Sequence, residues 1–452
     1  MRLHHGLAVV VLLATAACST NPALAPRDTT SLQPGAPSAL AGAITSNIPG
    51  STFTAVIDAS SSKTRLYLYS VDSSAPYPLI VNLKEVEFKR TASGADEDGI
   101  NNFVDPTNPE LERTVMPETI TPLLNNLTAT LASLGVSPAD VEVNVLATAG
   151  MRGEQERWKD QYPNAVSDFY ALIKEGITSA GYRAGQVRTT DGNSEEGLWS
   201  WVALNDRLVE AFTSSRPPVG VVEVGGSSAQ VSYPTSLPAG SPNVYDVTLN
   251  GHSYRVFNRT FLGLGVDDAR KQMRQGSAAP AACFPVGFPA AQDSGETEPG
   301  YPLITTAGAY DQKACSAAFA TIVGATLAKY GDPQVASSTG SFVGTDATLY
   351  ATDYFAVQDR PGELAAATQK ACGAAEADLA TNFPAIATNQ NVQRQCATST
   401  YINTLLYDPA VGLFRANPAA FTRAVTSKGP SGSSEITWTR GFLLLRYGRP
   451  AA

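Results

Sequence analysis

The chain carries one short pattern twice, and this repeat restricts the fold more than any other feature. VIDASSSKTRLYLY (56–69) and VEVGGSSAQVSY (222–233) each contain an apolar strand with an acidic residue, a tight turn rich in Ser or Gly, and a returning strand. Apolar runs on both sides of such a turn predict an antiparallel hairpin. The acids are Asp58 and Glu223, and a carboxylate in an apolar strand is costly unless something pairs with it. One such hairpin in each half of the chain indicates an internal duplication.

The length of the chain agrees with two lobes, and its net charge restricts the kinds of molecule that it can bind. A single core stops growing beyond about 300 residues, whereas this chain has 452 residues, of which 43% are hydrophobic and 16% charged. The formal net charge of −9 argues against a nucleic-acid-binding groove or a basic membrane-binding surface. We expect a globular protein that acts as a monomer and binds no nucleic acid.

The N-terminus predicts export. MRLHHG is a short start with one arginine, and LAVVVLLATAA is an apolar run of signal-peptide length that is too short to span a membrane. Residues 1–17 are therefore expected to be a signal peptide. Cys18 follows Ala16-Ala17 as in a bacterial lipoprotein, so lipidation of Cys18 is favoured, with plain cleavage after Ala14-Thr15-Ala16 as the alternative. Residues 18–50 predict a flexible linker, which would leave the protein in the periplasm or at the cell surface, in contact with the membrane only through the lipid.

In an oxidising compartment the remaining cysteines predict disulfides. Besides Cys18 the chain has Cys283, Cys315, Cys372 and Cys396, an even number. Pairing Cys283 with Cys315 and Cys372 with Cys396 is favoured because these local loops cost least to close. The two other pairings stay open, and a zinc site is disfavoured because no CxxC spacing occurs.

Histidine is almost absent from the mature chain. Of three histidines, His4 and His5 belong to the signal segment, which leaves His252 in the turn-like sequence NGHSY. Ser-His-Asp, Cys-His and His-rich metal chemistry are therefore close to excluded. In an enzyme of this composition, acid–base work falls to carboxylates.

Periodicity predicts the elements around the two hairpins. Helices are expected over 117–135, 164–181 and 436–448 and from about Ser194, a strand over 141–148, and a loop over 275–300. DEDGINNFVD (96–105) has carboxylates and Asn at the spacing of a calcium loop, which is an alternative to an ordinary surface loop.

The two turns suit a phosphate ligand. Small residues let backbone N–H groups approach an anion, and serine hydroxyls add donors. The acid before each turn suits a divalent cation held through water, since Mg²⁺ keeps much of its hydration shell in proteins. Two such turns that face each other would hold a polyphosphate between two lobes, although a single Ser/Gly turn is usually structural.

Further motifs complete an order that resembles a known family. LATAGMRG (146–153) ends a strand in a small-residue loop, and DGNSEEGLWSWVALN (191–205) places two glutamates at a helix start. In order, DASSSKT, ATAGMR, EEGLWSW, VEVGGSSAQ and GLGVDDAR resemble the five apyrase conserved regions of the nucleoside triphosphate diphosphohydrolases (ecto-apyrases). These blocks run from residue 56 to residue 270, and WTRGFLLL resembles the family's C-terminal segment. The five blocks in this order are highly specific.

The resemblance implies an α/β fold of two lobes, of the actin, Hsp70 and sugar kinase type (ribonuclease H-like), with the active site in the interlobe cleft. Residues 51–190 with about 433–452 would form lobe I, and 191–432 would form lobe II with both disulfides. The implied reaction is hydrolysis of nucleoside tri- and diphosphates by direct attack of water, with Mg²⁺ or Ca²⁺ as the cofactor.

The resemblance also implies catalytic roles. Glu196, the acid directly before the Gly of EG-x-W, corresponds to the general base. A carboxylate base also suits a chain that is nearly free of histidine. Thr148 corresponds to a residue that helps to place the attacking water, with Ser228 and Gln230 as its companions.

The same comparison implies the binding residues. Asp58 and Glu223 match the positions that hold the metal through water. The positions that match the phosphate-binding turns are Ser61, Ser62, Lys63, Thr64, Gly226 and Ser227. Arg152 either contacts phosphate or joins its loop to a carboxylate, and both readings stay open. GLGVDDAR is expected to be structural, with Arg270 supporting the cleft.

Two departures from the family pattern affect function. The first turn usually reads DAGSSHT, so Ser60 and Lys63 replace Gly and His, and Lys63 adds a positive charge beside the terminal phosphate. Glu223 replaces the usual Asp, so its carboxylate reaches further toward the metal. The alternatives are an exopolyphosphatase or guanosine pentaphosphate phosphohydrolase, and an inactive nucleotide-binding surface lipoprotein. ATAGMR and EEGLWSW favour the apyrases over the former.

Overall fold

The structure is a computed structural model that describes residues 51–87, 99–287, 306–374, 378, 392–425 and 436–448. All of these residues belong to one unit, Thr45–Ala452. The predicted signal peptide, Cys18 with its predicted lipid and the whole of the predicted linker lie outside the described residues, as does the first part of the suggested calcium loop.

Eleven strands and eleven α-helices make up the regular structure of the described residues. The strands are β1 (Thr52–Ala59), β2 (Thr64–Asp72), β3 (Leu79–Glu87), β4 (Glu142–Ala147), β5 (Arg183–Thr189), β6 (Gly220–Val224), β7 (Ser228–Pro234), β8 (Val244–Leu249), β9 (His252–Leu262), β10 (Phe342–Asp346) and β11 (Phe421–Ala424). The helices are α1 (Pro109–Val115), α2 (Thr121–Leu134), α3 (Ala149–Trp158), α4 (Ala165–Ser179), α5 (Gly197–Leu208), α6 (Val266–Gly276), α7 (Gln312–Tyr330), α8 (Ala347–Tyr354), α9 (Leu364–Cys372), α10 (Val392–Tyr407) and α11 (Trp438–Tyr447).

Two sheets repeat the same local arrangement. Their strand orders are β3-β2-β1-β4-β5 and β11-β10-β6-β7-β9-β8. In the first sheet, β1 pairs antiparallel with β2 and parallel with β4. In the second sheet, β6 pairs antiparallel with β7 and parallel with β10. Both predicted hairpins are confirmed, and each acid-bearing strand lies between a hairpin partner and a parallel neighbour.

Strand alternation brings the two acids to corresponding faces. Ile57 and Val224 pack into separate cores, one under each sheet. Val56 and Val221, on the opposite faces, pack into a third cluster that contains residues of both sheets. Because side chains two residues apart in a strand share a face, Asp58 lies on the face of Val56 and Glu223 on the face of Val221. Both acids therefore point to the side on which the two sheets meet.

Helices α5 and α11 complete this shared cluster. The rings of Trp199 and Trp438 stack with centroids 5.8 Å apart, and Phe442 lies 5.1 Å from Trp199. Gly441 is required here, because a Cβ would collide with the Trp199 carbonyl. This close packing supports the N-terminal end of α5, which begins beside the cleft.

Most of the predicted elements are present, with shifted ends. The helix predicted over 117–135 is part of a longer helical stretch that begins at Pro109 and continues through a π-helical turn, Met116–Ile120. The loop predicted over 275–300 contains the last two residues of α6 and a 3₁₀ turn, Pro280–Cys283, and residues 288–300 of it lie outside the described residues. Strands β3, β5 and β8 to β11 were not predicted from the sequence.

Two disulfides hold the helices of the second half together. Cys283 is bonded to Cys315 on α7, and Cys372 on α9 is bonded to Cys396 on α10. This is the pairing that loop length favours. Among the helices in the described ranges, none combines the length and the apolar character that crossing a membrane requires.

Candidate active site

A cleft of about 270 Å³ opens between the two hairpins. Both predicted turns line it, through Ser60–Lys63 on one side and Gly225–Ser228 on the other. The two turns approach each other closely: a Cβ built on Gly226 would lie only 2.7 Å from the Ser61 hydroxyl oxygen. The facing arrangement that the repeat predicts is therefore present.

The second turn is held from behind by the GLGVDDAR segment. Gly263 N–H donates to the Ser227 carbonyl at 2.8 Å, and Asp267 N–H donates to the Gly226 carbonyl at 2.9 Å. Arg270 forms an ion pair with Asp267 at 2.6 Å. The segment therefore has the structural role expected for it, and it also places the Asp267 carboxylate in the cleft lining.

Acidic side chains dominate the charge of the cleft. Five of them line it: Asp58, Glu196, Glu223, Asp267 and Asp346. The basic lining residues are Lys63 and Arg65, and both form ion pairs with Glu87 at 3.3 Å. A polyphosphate, which carries several negative charges of its own, would meet strong repulsion here unless a cation accompanied it.

Asp58 is buried at the end of β1 and accepts a hydrogen bond of 2.6 Å from the Ser60 hydroxyl. Burial raises the pKa of Asp58 from 3.8 to about 7, against the opposing effects of Ser60 and Arg65, and the charges of Glu196 and Asp346 raise it further. A carboxyl group with so high a pKa lies where the structure supplies too little positive charge to stabilise the ionised form.

Glu223 is half-buried and is the second acid of the cleft with a raised pKa. Its Oε2 is buried and has no hydrogen-bond partner among the described residues. Burial, together with the charges of Asp346 and Glu196, raises the pKa of Glu223 well above its usual range. Asp346 ends β10, directly beside β6 in the sheet, and has a φ of 53°, which is unusual for a non-glycine residue. No three His, Cys, Asp or Glu side chains of the described residues form a group able to enclose a metal ion directly.

The predicted general base lies at the start of α5. A π-helical turn, Gly192–Glu196, leads into that helix, and its first N–H groups are capped by Asp191, which accepts from Ser194 N–H at 2.6 Å. Glu196 is only 6% exposed and faces the cleft. The neighbouring Glu195 forms two short contacts, of 2.6 and 2.7 Å, with Arg188 and accepts from Asp191 N–H, so it stabilises the turn as a capping acid.

The predicted water-placing residues gather around Glu196. Thr148, Ser228 and Gln230 all line the cleft and are at most 3% exposed. Gln230 Nε2 donates to the Ser228 hydroxyl oxygen at 2.6 Å. Thr148 precedes α3, and its N–H donates to the Ala59 carbonyl at 3.2 Å, which connects it to the end of β1.

Two residues singled out from the sequence do not line the cleft, namely Thr64 and Arg152. Thr64 is 1% exposed at the start of β2. Arg152 forms an ion pair with Glu196, with Nη2 and Oε2 2.6 Å apart. Contact with a carboxylate is one of the two roles that the sequence leaves open for Arg152.

Sequence reasoning missed Asp346 and Asp267. Asp346 follows the short apolar run of β10, and an acid at the carboxyl end of a parallel strand is a recognised signal for a ligand site in α/β sheets. The sequence does not predict β10, so it does not identify Asp346 as the end of a strand. Asp267 lies within GLGVDDAR, for which the sequence predicts a structural role.

The comparisons with known proteins agree with this geometry. Residues 47–448 match the GDA1/CD39 (nucleoside phosphatase) family. A relative from Arabidopsis thaliana, probable apyrase 4, is 24% identical over 79% of this chain and 72% of its own length. Ectonucleoside triphosphate diphosphohydrolase 2 of Gallus gallus is 25% identical over 55% of this chain and 57% of its own length. The crystal structure of nucleoside triphosphate hydrolases from Neospora caninum superposes with a TM-score of 0.56 at 16% identity, and covers 88% of this chain and 92% of that one.

The fold is a mixed α/β arrangement of two sheets that resembles the Neospora caninum structure. The chain belongs to the GDA1/CD39 (nucleoside phosphatase) family, whose match extends over all of the described residues, and it is therefore an enzyme that hydrolyses phosphoanhydride bonds. The family, the fold class and the enzyme class predicted from the sequence are thereby confirmed.

Proposed function

We propose that the protein hydrolyses nucleoside tri- and diphosphates at their terminal phosphoanhydride bond, with water activated by Glu196. The observation that carries this proposal is the juxtaposition of two Ser/Gly turns across one cleft with Glu196, Ser228 and Gln230 beside them. Turns of this kind present backbone N–H groups and hydroxyls to phosphate oxygens. A buried carboxylate next to them supplies the base that phosphoanhydride hydrolysis by water requires.

The residues present fit a divalent cation. Two acids of the cleft, the buried Asp58 and the half-buried Glu223, have raised pKa values, and the Glu223 Oε2 atom is buried and has no hydrogen-bond partner among the described residues. Asp58, Glu223 and Asp346 would hold the ion, through water at least in part, and oxygen ligands of this kind suit Mg²⁺ or Ca²⁺. When bound, the ion would neutralise phosphate charge and orient the terminal phosphoryl group.

Different side chains of the cleft would bind the phosphates, accept the proton of the water and orient the attack. The turns at Ser61 and Gly226 would hold the phosphates, so that the terminal phosphorus faces Glu196. Glu196 would take a proton from the water as the water oxygen attacks phosphorus. The bond between phosphorus and the leaving phosphate oxygen would break, and the leaving oxygen would keep the electron pair. Ser228 and Gln230 would fix the direction of attack, since most of the barrier is lowered by positioning and charge neutralisation.

The test is phosphate release from ATP, ADP and inorganic polyphosphate, each with Mg²⁺ or Ca²⁺ and with a chelator. We expect release from both nucleotides that requires the cation. Release from polyphosphate alone would favour an exopolyphosphatase, and silence on all three substrates would favour a binding protein without activity.

Location and assembly are proposals that rest on the sequence. We infer that residues 1–17 direct export, that Cys18 carries a lipid, and that residues 18–50 connect this anchor to the enzyme in the periplasm or at the cell surface. The protein would act as a monomer on free nucleotides. Residues 51–190 with about 433–452 would form one lobe, and 191–432 the other.

A further inference from the structure

Arg152 connects three segments that end at the cleft. It is the fourth residue of α3, and its guanidinium meets Glu196 Oε2 at 2.6 Å. The same Nη2 atom donates to the Ser228 hydroxyl oxygen at 3.4 Å. Nη1 donates to the carbonyl and hydroxyl oxygens of Thr190 at 3.2 and 3.4 Å. One side chain therefore holds the end of β5, the start of α5 and the start of β7 in a fixed relation.

The contact with Glu196 has an electrostatic reason. Glu196 lies close enough to Asp58 and Glu223 for its charge to raise the pKa of both. A cation beside a buried carboxylate offsets the repulsion from the like charges around it. Arg152 supplies that cation through an ion pair with Glu196 Oε2 at 2.6 Å, a contact without the alignment of a hydrogen bond.

Arg152 also contacts Ser228, one of the residues expected to place the attacking water. The Ser228 oxygen accepts hydrogen bonds from Gln230 Nε2 at 2.6 Å and from Arg152 at 3.4 Å. A hydroxyl that accepts twice still has its own proton to donate. Arg152 and Gln230 thus leave the Ser228 proton available for a water or an oxygen in the cleft.

The neighbouring ion pair of Arg188 and Glu195 serves as a comparison, because Arg188 contacts no described residue that is assigned to water activation. Arg188 meets both oxygens of Glu195, at 2.6 and 2.7 Å, and its side chain is 37% exposed. Arg152 is 15% exposed and reaches two of the groups assigned to water activation, yet it does not line the cleft. Its contacts with Glu196 and Ser228 favour action through these residues.

We propose that Arg152 is a positioning residue, which fixes the Glu196 carboxylate and the Ser228 hydroxyl in the geometry that water activation needs. This role rests on the proposed function. It assigns Arg152 to the chemical step rather than to nucleotide binding.

The test compares Arg152→Ala, Arg152→Lys and the matched control Arg188→Ala in steady-state hydrolysis of the nucleotide that the wild type uses, with the melting temperature of each variant as a check of folding. Misplacing a reacting group by about 1 Å costs roughly 100-fold in rate, so Arg152→Ala should lower kcat by about that factor with little change in KM. Arg152→Lys should retain part of the rate. Arg188→Ala should stay near wild-type kcat.

Guanidinium added at millimolar concentration, far below denaturing levels, provides a second readout. It should restore part of the kcat of Arg152→Ala and none of the kcat of Glu196→Gln, since only the former has a guanidinium-shaped gap beside an intact base. A rise in KM with unchanged kcat in Arg152→Ala would overturn the positioning role in favour of phosphate contact. A loss of kcat in Arg188→Ala equal to that in Arg152→Ala would overturn it in favour of a purely structural role. If Arg152→Ala fails to fold, the test rests on Arg152→Lys, which should retain part of the wild-type kcat. An inactive wild type would remove the proposed function and this role together, whereas these variant results concern the role alone.

Discussion

Ser61 and Gly226 face each other so closely that a Cβ on Gly226 would lie 2.7 Å from the Ser61 hydroxyl oxygen and from Asp267 Oδ2. We expect Gly226→Ala to push the two turns apart and to lower kcat/KM by roughly 10-fold or more, because phosphate positioning depends on their spacing. Gly225→Ala is the matched control, since its Cβ would make an ordinary contact of 3.6 Å with the Ser228 carbonyl. Equal activities of the two variants would show that turn spacing is not critical.

Glu223 is expected to set the affinity for the divalent cation. Its Oε2 is buried and has no hydrogen-bond partner among the described residues, so its removal should cost cation affinity and little else. Loss of an outer-shell group at a metal site typically costs roughly 10- to 100-fold in affinity. Because Glu223 is proposed to hold the ion through water, we expect Glu223→Gln to raise the Mg²⁺ or Ca²⁺ dissociation constant within that range. Calorimetric titration of the nucleotide-free protein measures this directly.

Asp346 should contribute to the same site, and Asp346→Asn should weaken cation binding in the same titration. Asp353→Asn is the control, because Asp353 is an exposed acid on helix α8, which begins directly after Asp346. Similar affinities in the Asp346 and Asp353 variants would remove Asp346 from the site. Glu223→Asp keeps the charge and shortens the side chain by one methylene, and the same titration tests whether the longer side chain alters cation preference.

Cation binding should also depend on pH through Asp58. Its pKa is raised to about 7, so the folded state holds the proton more tightly than the unfolded chain does. The stability that this group contributes is therefore fully present below about pH 4 and is lost as the pH rises through about 7. A cation that pairs with the ionised carboxylate should offset the loss.

Melting temperatures measured from about pH 5 to about pH 8, with and without Mg²⁺, check the sign of this effect. The increase caused by Mg²⁺ should grow with pH in the wild type and should be flatter in Asp58→Asn. A cation effect that is independent of pH would contradict the assignment.

Lys63 is expected to bias the enzyme toward triphosphates. Its Nζ lies 3.3 Å from Glu87 Oε1 and lines the cleft, within a turn that is proposed to hold phosphate. Lys63→His should lower the ratio of ATP to ADP hydrolysis rates by about fivefold, the effect of one hydrogen bond worth about 1 kcal/mol. Lys84→His, at an exposed position on β3, is the control. An unchanged ratio would remove Lys63 from substrate selection.

Local sequence patterns predicted those parts of the site that depend on residues within a single hairpin, and this holds for each of the two hairpins. Asp58 and Glu223 were recognisable because each interrupts an apolar strand directly before a small-residue turn, and the period of a strand fixes which face they occupy. The pairing of Cys283 with Cys315 followed from loop length in the same local way.

Features that depend on contacts between distant segments could not be predicted. Asp346 enters the cleft because β10 pairs with β6 across more than a hundred residues, and no local pattern reports that pairing. Arg152 was ambiguous for the same reason, since its partners Glu196 and Ser228 come from two other segments. Propensity and spacing specify elements and turns, whereas the tertiary fold decides which side chains meet.

The most direct test of the mechanism is the rate of phosphate release by Glu196→Gln, compared with wild type and with the matched control Glu195→Gln. Removal of a general base typically costs roughly 10²- to 10⁴-fold. We expect a loss in this range for Glu196→Gln with nucleotide binding retained, and near wild-type rates for Glu195→Gln, whose partner is Arg188. Equal rates for the Glu196 variant and the wild type would contradict the assignment of Glu196 as the base.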